Sequence, residues 1–429
     1  MRTHVSQNID LDIVESLKKA KWTVTLAASF GWFFDAYVIT IYALTIPLIS
    51  KEFHVSTSLL AGGLGSIFLI GYTIGTIAFG SLGDIFGRKA MLGISIVGYG
   101  VATALTALAG GVFSLAILRF LTGLGGGGEL AVGAPFVSEV WDRRHRSTGV
   151  GFMYSFYPLG FVFAVLMFHL IAPIWGWRAV YVFSLVPAAV ILLLRLRLEE
   201  SPRFQRIISQ IEAGHTKKLT LLKAAANPIL RYRILVGFLI FVSLTYGYYA
   251  MVFYIPAFVV HTYHLSPATG AAAVTALLQV AGVVGGLTGG FLGDRIGRRI
   301  PAIVAAILLV ITILYWWGTE LSLTGFCIMT VIGGFLIAYE WAVGITYVTE
   351  IFPTEIRASG FGWSAGLARI VSIAAPITTQ MLASAIGVAH AIQVSAIIWL
   401  SLIVGYLISH ETRGTELADR VDMMVHKIK

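Results

Sequence analysis

The decapeptide GSLGDIFGRK (80–89) returns as GFLGDRIGRR (290–299), at an offset of 210 residues. Its surroundings return with it. At an offset of 211, Glu129 meets Glu340, Glu139 meets Glu350, Arg146 meets Arg357, Gly149 meets Gly360 and Glu200 meets Glu411. Motifs that recur at one spacing through half a chain indicate a duplicated unit rather than a chance match.

Between these charged motifs lie apolar blocks long enough to cross about 30 Å of hydrocarbon as helix. Hydrophobic residues make up 57% of the chain and charged residues only 12%, against about 25% charged in soluble domains. The sequence therefore predicts an all-α membrane protein. Spans are expected at 23–49, 59–80, 90–110, 113–140, 148–173, 177–197, 232–260, 268–291, 301–318, 322–350, 358–386 and 389–409. An even number of spans per unit makes the two units parallel repeats, related by an axis along the membrane normal. The expected domains are an N-terminal six-helix bundle (1–198), a cytosolic linker (199–231), a C-terminal six-helix bundle (232–410) and a tail (411–429).

Of the 30 Lys and Arg, 26 lie on or beside the segments that share a side with the termini. The positive-inside rule then puts both termini in the cytosol, with the plasma membrane as the expected location. The net charge of +9 is thus a topology signal, and no nucleic-acid partner is expected. The first 22 residues are polar, so a cleavable secretory signal is not expected. Within them IDLDIVESLKKAK (9–21) reads as a short amphipathic helix, acids early and lysines late as the helix dipole prefers. The single cysteine, Cys327, excludes an internal disulfide and a Cys-based zinc site.

The residues Gly80, Gly83, Asp84, Gly87, Arg88 and Lys89, with their copies Gly290, Gly293, Asp294, Gly297, Arg298 and Arg299, resemble the loop signature of the major facilitator superfamily. RFLTGLGGGGE (119–129), SEVWDRRHRSTG (138–149), EESPR (199–203), TEIFPTEIRASG (349–360) and ETRG (411–414) resemble its proton symporters for sugars and small metabolites. FPTEIRASGFGWSAGLARI (352–370) is most similar to the aromatic-acid and metabolite branches. The resemblance implies the major facilitator fold, with 12 transmembrane helices in two pseudo-symmetric six-helix bundles. It also implies a cytosolic gate. The glycines of the signature permit a tight turn and close helix approach. Asp84 would accept from a neighbouring helix N-terminus, and Arg88 and Arg146 would pair with carboxylates such as Glu139. Asp294, Arg298, Glu350 and Arg357 would repeat this arrangement in the second half.

Asp35 stands in GWFFDAYVITIYALTIPL (31–48), with no other charge between Lys21 and Lys51. A buried ionised carboxylate is expensive unless something compensates it. At about 1.5 Å per residue, Asp35 lies about 21 Å below the outer end of the first span, Glu129 about 24 Å down the fourth and Arg119 about 9 Å. A carboxylate near the midplane of a low-dielectric cavity can take up and release a proton. Asp35, with Glu129 as a second candidate, therefore reads as the proton-coupling site. Arg119 matches the buried arginine that pairs with the first-span acid of sugar porters. That acid would fall on Val38 here, whereas metabolite and aromatic-acid porters often carry acids matching both Asp35 and Val38.

Substrate contacts are read from the seventh span, SLTYGYYAMVFYIP (243–256). Sugar porters show paired glutamines and an asparagine there; this chain has Tyr246, Tyr248, Tyr249 and Tyr254. With Tyr154, Tyr157, Glu340, Trp341 and Arg369, these suit a small ring or carboxylate held by Arg119 or Arg369 better than a polyhydroxylated sugar. A basic substrate held by Glu129 and Glu340 is the other reading of the same acids. Aromatic residues at these positions also fit helix packing or an interface belt.

The expected function is a proton-coupled symporter for a small organic acid or similar metabolite, working by alternating access. The alternatives are a sugar or polyol:proton symporter on the same fold and an uncoupled facilitator. An enzyme is not expected, because metal-ligand spacing, a nucleophile elbow and a P-loop are all missing. GLGGGG (123–128) lies inside a span rather than after a strand, and His261 and His264 have no carboxylate companion. No catalytic residue, metal or cofactor is expected beyond a coupling ion, H⁺. The expected partners are a small-molecule substrate and the lipid bilayer, with the chain acting as a monomer.

Overall fold

The structure is a computed structural model that describes residues 2–214, 226–252, 254–266 and 270–421, with side chains from residue 21 onward. The expected amphipathic face of 9–21, linker residues 215–225 and tail residues 422–429 lie outside the described side chains or residues. In hydrocarbon every backbone N–H and C=O must be satisfied internally, which leaves helix as the local solution for isolated apolar segments. Among the described residues 11 helical runs are long and apolar enough to cross a membrane.

The first helix, α1, runs unbroken over Arg2–Phe53. The expected short helix and first span are therefore one element, because no glycine or proline interrupts the chain before Gly31. Then come α2 (Leu59–Phe86), α3 (Arg88–Leu108) and α4 (Val112–Val140). The run Arg146–Leu196 holds two spans, because Gly176 at φ 77° breaks it; α5 covers 146–175 and α6 covers 177–196. A short linker helix, α7 (Pro202–Glu212), starts on an Asx-like cap in which Ser201 accepts from the Phe204 N–H. The second half repeats the order with α8 (Pro228–Tyr263), α9 (Gly270–Arg295), α10 (Arg299–Gly318), α11 (Leu323–Ile351), α12 (Thr354–Ile386) and α13 (Val388–Leu407). With the split at Gly176 these make the twelve expected spans.

The two bundles meet along two seams, α2 on α12 and α5 on α9. Gly80 faces Gly362 in the first and Gly290 faces Gly151 in the second. A Cβ on Gly80 would stand 2.5 Å from the Ala358 carbonyl oxygen, and one on Gly290 would stand 2.7 Å from that of Ser147. Only a missing side chain lets these backbones touch. The seams are copies of each other, since Gly80 and Gly290 differ by 210 positions and Gly151 and Gly362 by 211. The duplicated signature closes with Gly87 at φ 100° and Gly297 at φ 123°, backbone that favours glycine. Outward-facing side chains such as Phe113, Leu193 and Ile300 are exposed and apolar, while Arg88, Arg146, Arg298 and Arg357 are fully buried. That inversion is the expected surface of a protein solvated by lipid.

Candidate transport site and gate

A small cavity lies between the bundles. It is lined by Trp32 and Asp35 of α1, Tyr72 of α2, Tyr154 and Tyr157 of α5, Tyr248 and Tyr249 of α8, Trp341 of α11 and Arg369 of α12. Trp32 and Asp35 are three apart and share one face of α1. Tyr248 and Tyr249 follow a wide π-helical turn over Ser243–Gly247, a local register change common at functional sites. The walls are mostly rings. Tyr154 stacks on Trp341 at 6.0 Å and on Tyr157 at 6.4 Å, with Trp32 edge-on to both.

Two charges face this cage from opposite halves. The Tyr72 hydroxyl donates to Asp35 Oδ2 at 3.0 Å. The Arg369 guanidinium lies 3.8 Å over the Tyr72 ring and donates to the Tyr249 hydroxyl at 3.1 Å. Tyr72 thus separates an acid of the N-terminal half from a cation of the C-terminal half. A planar guanidinium stacked on an aromatic face keeps donors free to fork onto a carboxylate.

Several residues singled out above lie elsewhere. Arg119 does not pair with Asp35; its guanidinium is held between the rings of Tyr42 and Phe68, at 4.0 and 4.5 Å, and the cation stacked on the tyrosine that binds the acid is Arg369. Glu129 is closed into an ion pair with Arg195, at 2.6 and 2.5 Å, and also accepts from Ser95 at 2.9 Å. The Tyr246 hydroxyl meets Thr378 at 2.5 Å and that of Tyr254 donates to the Pro376 carbonyl at 2.9 Å, so both bind α12 outside the cavity wall. Glu340 is fully buried but does not line the cavity. Trp32 and Tyr72 do line it and went unread, although Trp32 sits one helical turn from Asp35. Arg195, the partner of Glu129, also went unread.

The expected gate residues lie on the face that carries the described chain ends. Asp84 of α2 accepts the N–H groups of Ala358 and Ser359, at 3.3 and 2.6 Å, at the start of α12. Asp294 of α9 accepts those of Ser147 and Thr148, at 3.0 and 2.7 Å, at the start of α5. Each aspartate therefore caps a helix N-terminus in the other bundle, where backbone donors and the helix dipole favour an anion. The arginines also cross. Arg146 pairs with Glu350 rather than with Glu139, and Arg357 pairs with Glu139, both at 2.9 Å. Arg88 holds Glu139 at 3.1 Å and the Thr354 carbonyl at 2.8 Å, while Arg298 holds Glu350 at 3.0 Å. Arg88 and Arg298 also donate to Gly83 and Gly293, the carbonyls five residues back.

Two further repeat partners lie beside these residues. Glu200 accepts the N–H groups of Lys89 and Ser201, and burial still pushes its carboxyl up. At Glu411 burial acts the same way, but the N–H groups of Arg298, Arg299, Thr412 and Arg413 outweigh it and hold the carboxyl below the usual range.

Residues 28–287 match the model of the Major Facilitator Superfamily, and residues 207–420 that of the Sugar (and other) transporter family. The chain belongs to the major facilitator superfamily of membrane transporters and is not an enzyme. It is 26% identical over 433 residues to the niacin transporter NiaP of Acinetobacter baylyi, covering 94% of this chain and 98% of that one. It is 27% identical over 410 residues to a probable 4-methylmuconolactone transporter of Cupriavidus pinatubonensis, covering 92% and 91%. It is 25% identical over 419 residues to a benzoate transport protein of Acinetobacter baylyi, covering 89% and 87%. Among solved structures, the proton:xylose symporter XylE superposes with a TM-score of 0.81 at 18% identity, covering 95% of this chain and 99% of that one.

Proposed function

We propose that this transporter is a proton-coupled symporter for a small ring-bearing carboxylate, with Asp35 as the proton site and Arg369 as the substrate anchor. The observation that carries the reading is the Asp35–Tyr72–Arg369 stack inside an aromatic cage. A substrate ring would lie against Tyr154 and Trp341 while its carboxylate takes donors from Arg369. Arg369, stacked on the tyrosine that binds Asp35, is also a positive charge whose field favours the charged form of that acid. A carboxylate that neutralises Arg369 removes that support, so anion binding and proton binding at Asp35 reinforce each other. That reciprocity is what symport of an acid with H⁺ requires.

The relatives support the substrate class, since niacin and benzoate are both ring carboxylates. Among the described residues the side chains that line the cavity include no amide of the kind that holds sugar hydroxyls; Gln279 reaches only the Tyr248 hydroxyl. The basic residues on the gate side support a cytosolic position for the gate and both termini, in the plasma membrane. Each bundle finds its packing partner within one chain, which supports a monomer.

The test is transient current from proteoliposomes on a solid-supported membrane, with niacin, benzoate, aliphatic acids and xylose applied under a pH gradient. Currents with ring carboxylates but not xylose are expected, and Asp35→Asn should abolish uphill uptake while leaving exchange. Currents with xylose alone, or equal gradient-driven uptake by Asp35→Asn and wild type, would overturn the reading.

A further inference from the structure

The duplication leaves one buried acid without its partner. An offset of 211 carries Glu129 onto Glu340 and also carries Arg195 onto Tyr406. The N-terminal half therefore neutralises its glutamate with an arginine, and the C-terminal half has a phenol in that place. Glu340 has no exposed surface, and neither of its carboxylate oxygens has a hydrogen-bond partner. The Tyr406 hydroxyl is also buried without one.

The surroundings offer no substitute cation. Tyr406 lies close by on α13, since a Cβ on Gly344, one turn along from Glu340, would stand 3.6 Å from its hydroxyl oxygen. The titratable groups beside Glu340 are Tyr339 on its own helix and Tyr406 on α13. Tyr347, further along α11, packs edge-on against Tyr406 at 5.2 Å. From α8 the facing side chains are Ile240 and Leu244. Among the described residues no lysine, arginine or histidine hydrogen-bonds to either oxygen of Glu340.

An ionised carboxylate so placed is untenable without a counter-charge. Among the described residues a partnering cation is missing. A hard metal ion takes about six oxygen ligands, and here two carboxylate oxygens and one hydroxyl are at hand, with no metal-holding cluster among the described residues. A proton is what remains. Glu340 also precedes Trp341 of the cavity wall, and α11 carries Glu350 of the gate, so the same helix feels substrate and gate.

We infer that Glu340 is a second proton-binding site, seated in the C-terminal bundle and distinct from Asp35, that loads and unloads once per transport cycle. The inference rests on the proton-coupled reading above. It is tested by measuring the proton-to-substrate ratio from reversal potentials in proteoliposomes, with benzoate as the probe. Glu340→Gln, neutral and of the same shape, should transport with one proton fewer per benzoate than wild type. Tyr406→Arg, which rebuilds the ion pair of the other half, should lower the ratio by one as well. A coupled wild type whose ratio is unchanged in whichever of these variants folds would overturn the second site and leave Asp35 standing. A wild type that moves benzoate with no proton at all would overturn both readings.

Discussion

Arg357 of the C-terminal bundle donates to Glu139 of the N-terminal bundle at 2.9 Å, across 218 residues of sequence. Arg146 returns the contact to Glu350 at the same distance. Each half supplies the arginine that the other half's glutamate needs. A rocking motion that separates the bundles on this face therefore breaks both pairs and both aspartate caps together, which makes opening cooperative.

Asp84→Asn should loosen this face. A hydrogen bond to a charged group contributes about 1.5–3 kcal/mol, so the balance between closed and open should shift at least tenfold toward open. A cysteine introduced at Ser138 should then react faster with a membrane-impermeant thiol reagent added on the gate side, while substrate binding is kept and turnover falls. Unchanged labelling would show that the cap on Ser359 does not hold the gate.

Arg369→Lys should not rescue Arg369→Gln. An ammonium keeps the charge but loses the planar stack on Tyr72 and the forked donors, and a desolvated cation–π contact contributes about 2 kcal/mol. The half-saturating concentration for a carboxylate substrate should rise about tenfold or more in both variants. A lysine variant with wild-type affinity would mean that Arg369 acts as a point charge only.

Gly31→Ala should destabilise the N-terminal bundle. A Cβ there would fall 2.1 Å from Glu129 Oε2 and 2.2 Å from the Arg195 guanidinium, and overpacking of this kind costs about 1–3 kcal/mol. Thermal unfolding in detergent should shift down, whereas Gly93→Ala, with nothing within 4 Å of its Cβ, should match or exceed wild type. Equal melting of Gly31→Ala and wild type would contradict the close seating of this ion pair against α1.

Glu411 predicts a pH dependence with a definite sign. Its folded carboxyl is held below the ordinary glutamate range by four backbone donors, despite the opposing effect of burial. The stability it contributes is present above the ordinary glutamate value and is lost as pH falls through the lowered folded value. Melting curves of wild type should therefore fall with acidification more than those of Glu411→Gln. Parallel curves for the two proteins across the acid range would refute the cap.

The fold was legible because two signals coincide, a repeated charged decapeptide and apolar blocks of membrane length. Asp35, Tyr154, Tyr157, Tyr249, Trp341 and Arg369 were readable as cavity candidates because polar and aromatic groups stand out in an apolar span. The pairing of charges was not readable. Arg146 and Glu350 are 204 residues apart, and nothing local distinguishes Glu350 from Glu139 as a partner. Tyr246 and Tyr254 look the same on paper as Tyr248 and Tyr249. The π-helical turn over Ser243–Gly247 resets the facing of that helix, and no residue pattern announces it. Trp32 was readable from its spacing to Asp35 and was passed over among so many aromatics.

The seams where Gly80 meets Gly362 and Gly151 meets Gly290 have a mechanical consequence. At these points backbone rests directly against backbone, while elsewhere along the seams side chains such as Ile77 and Tyr154 fill the space beside Gly366 and Gly286. Such a backbone contact behaves as a plain bearing: at these two points one half could swivel on the other without side chains having to interdigitate anew. The polar contacts at the proposed gate would then supply much of the resistance to such a motion. A transporter built this way could keep its two halves in contact along both seams while they move against each other.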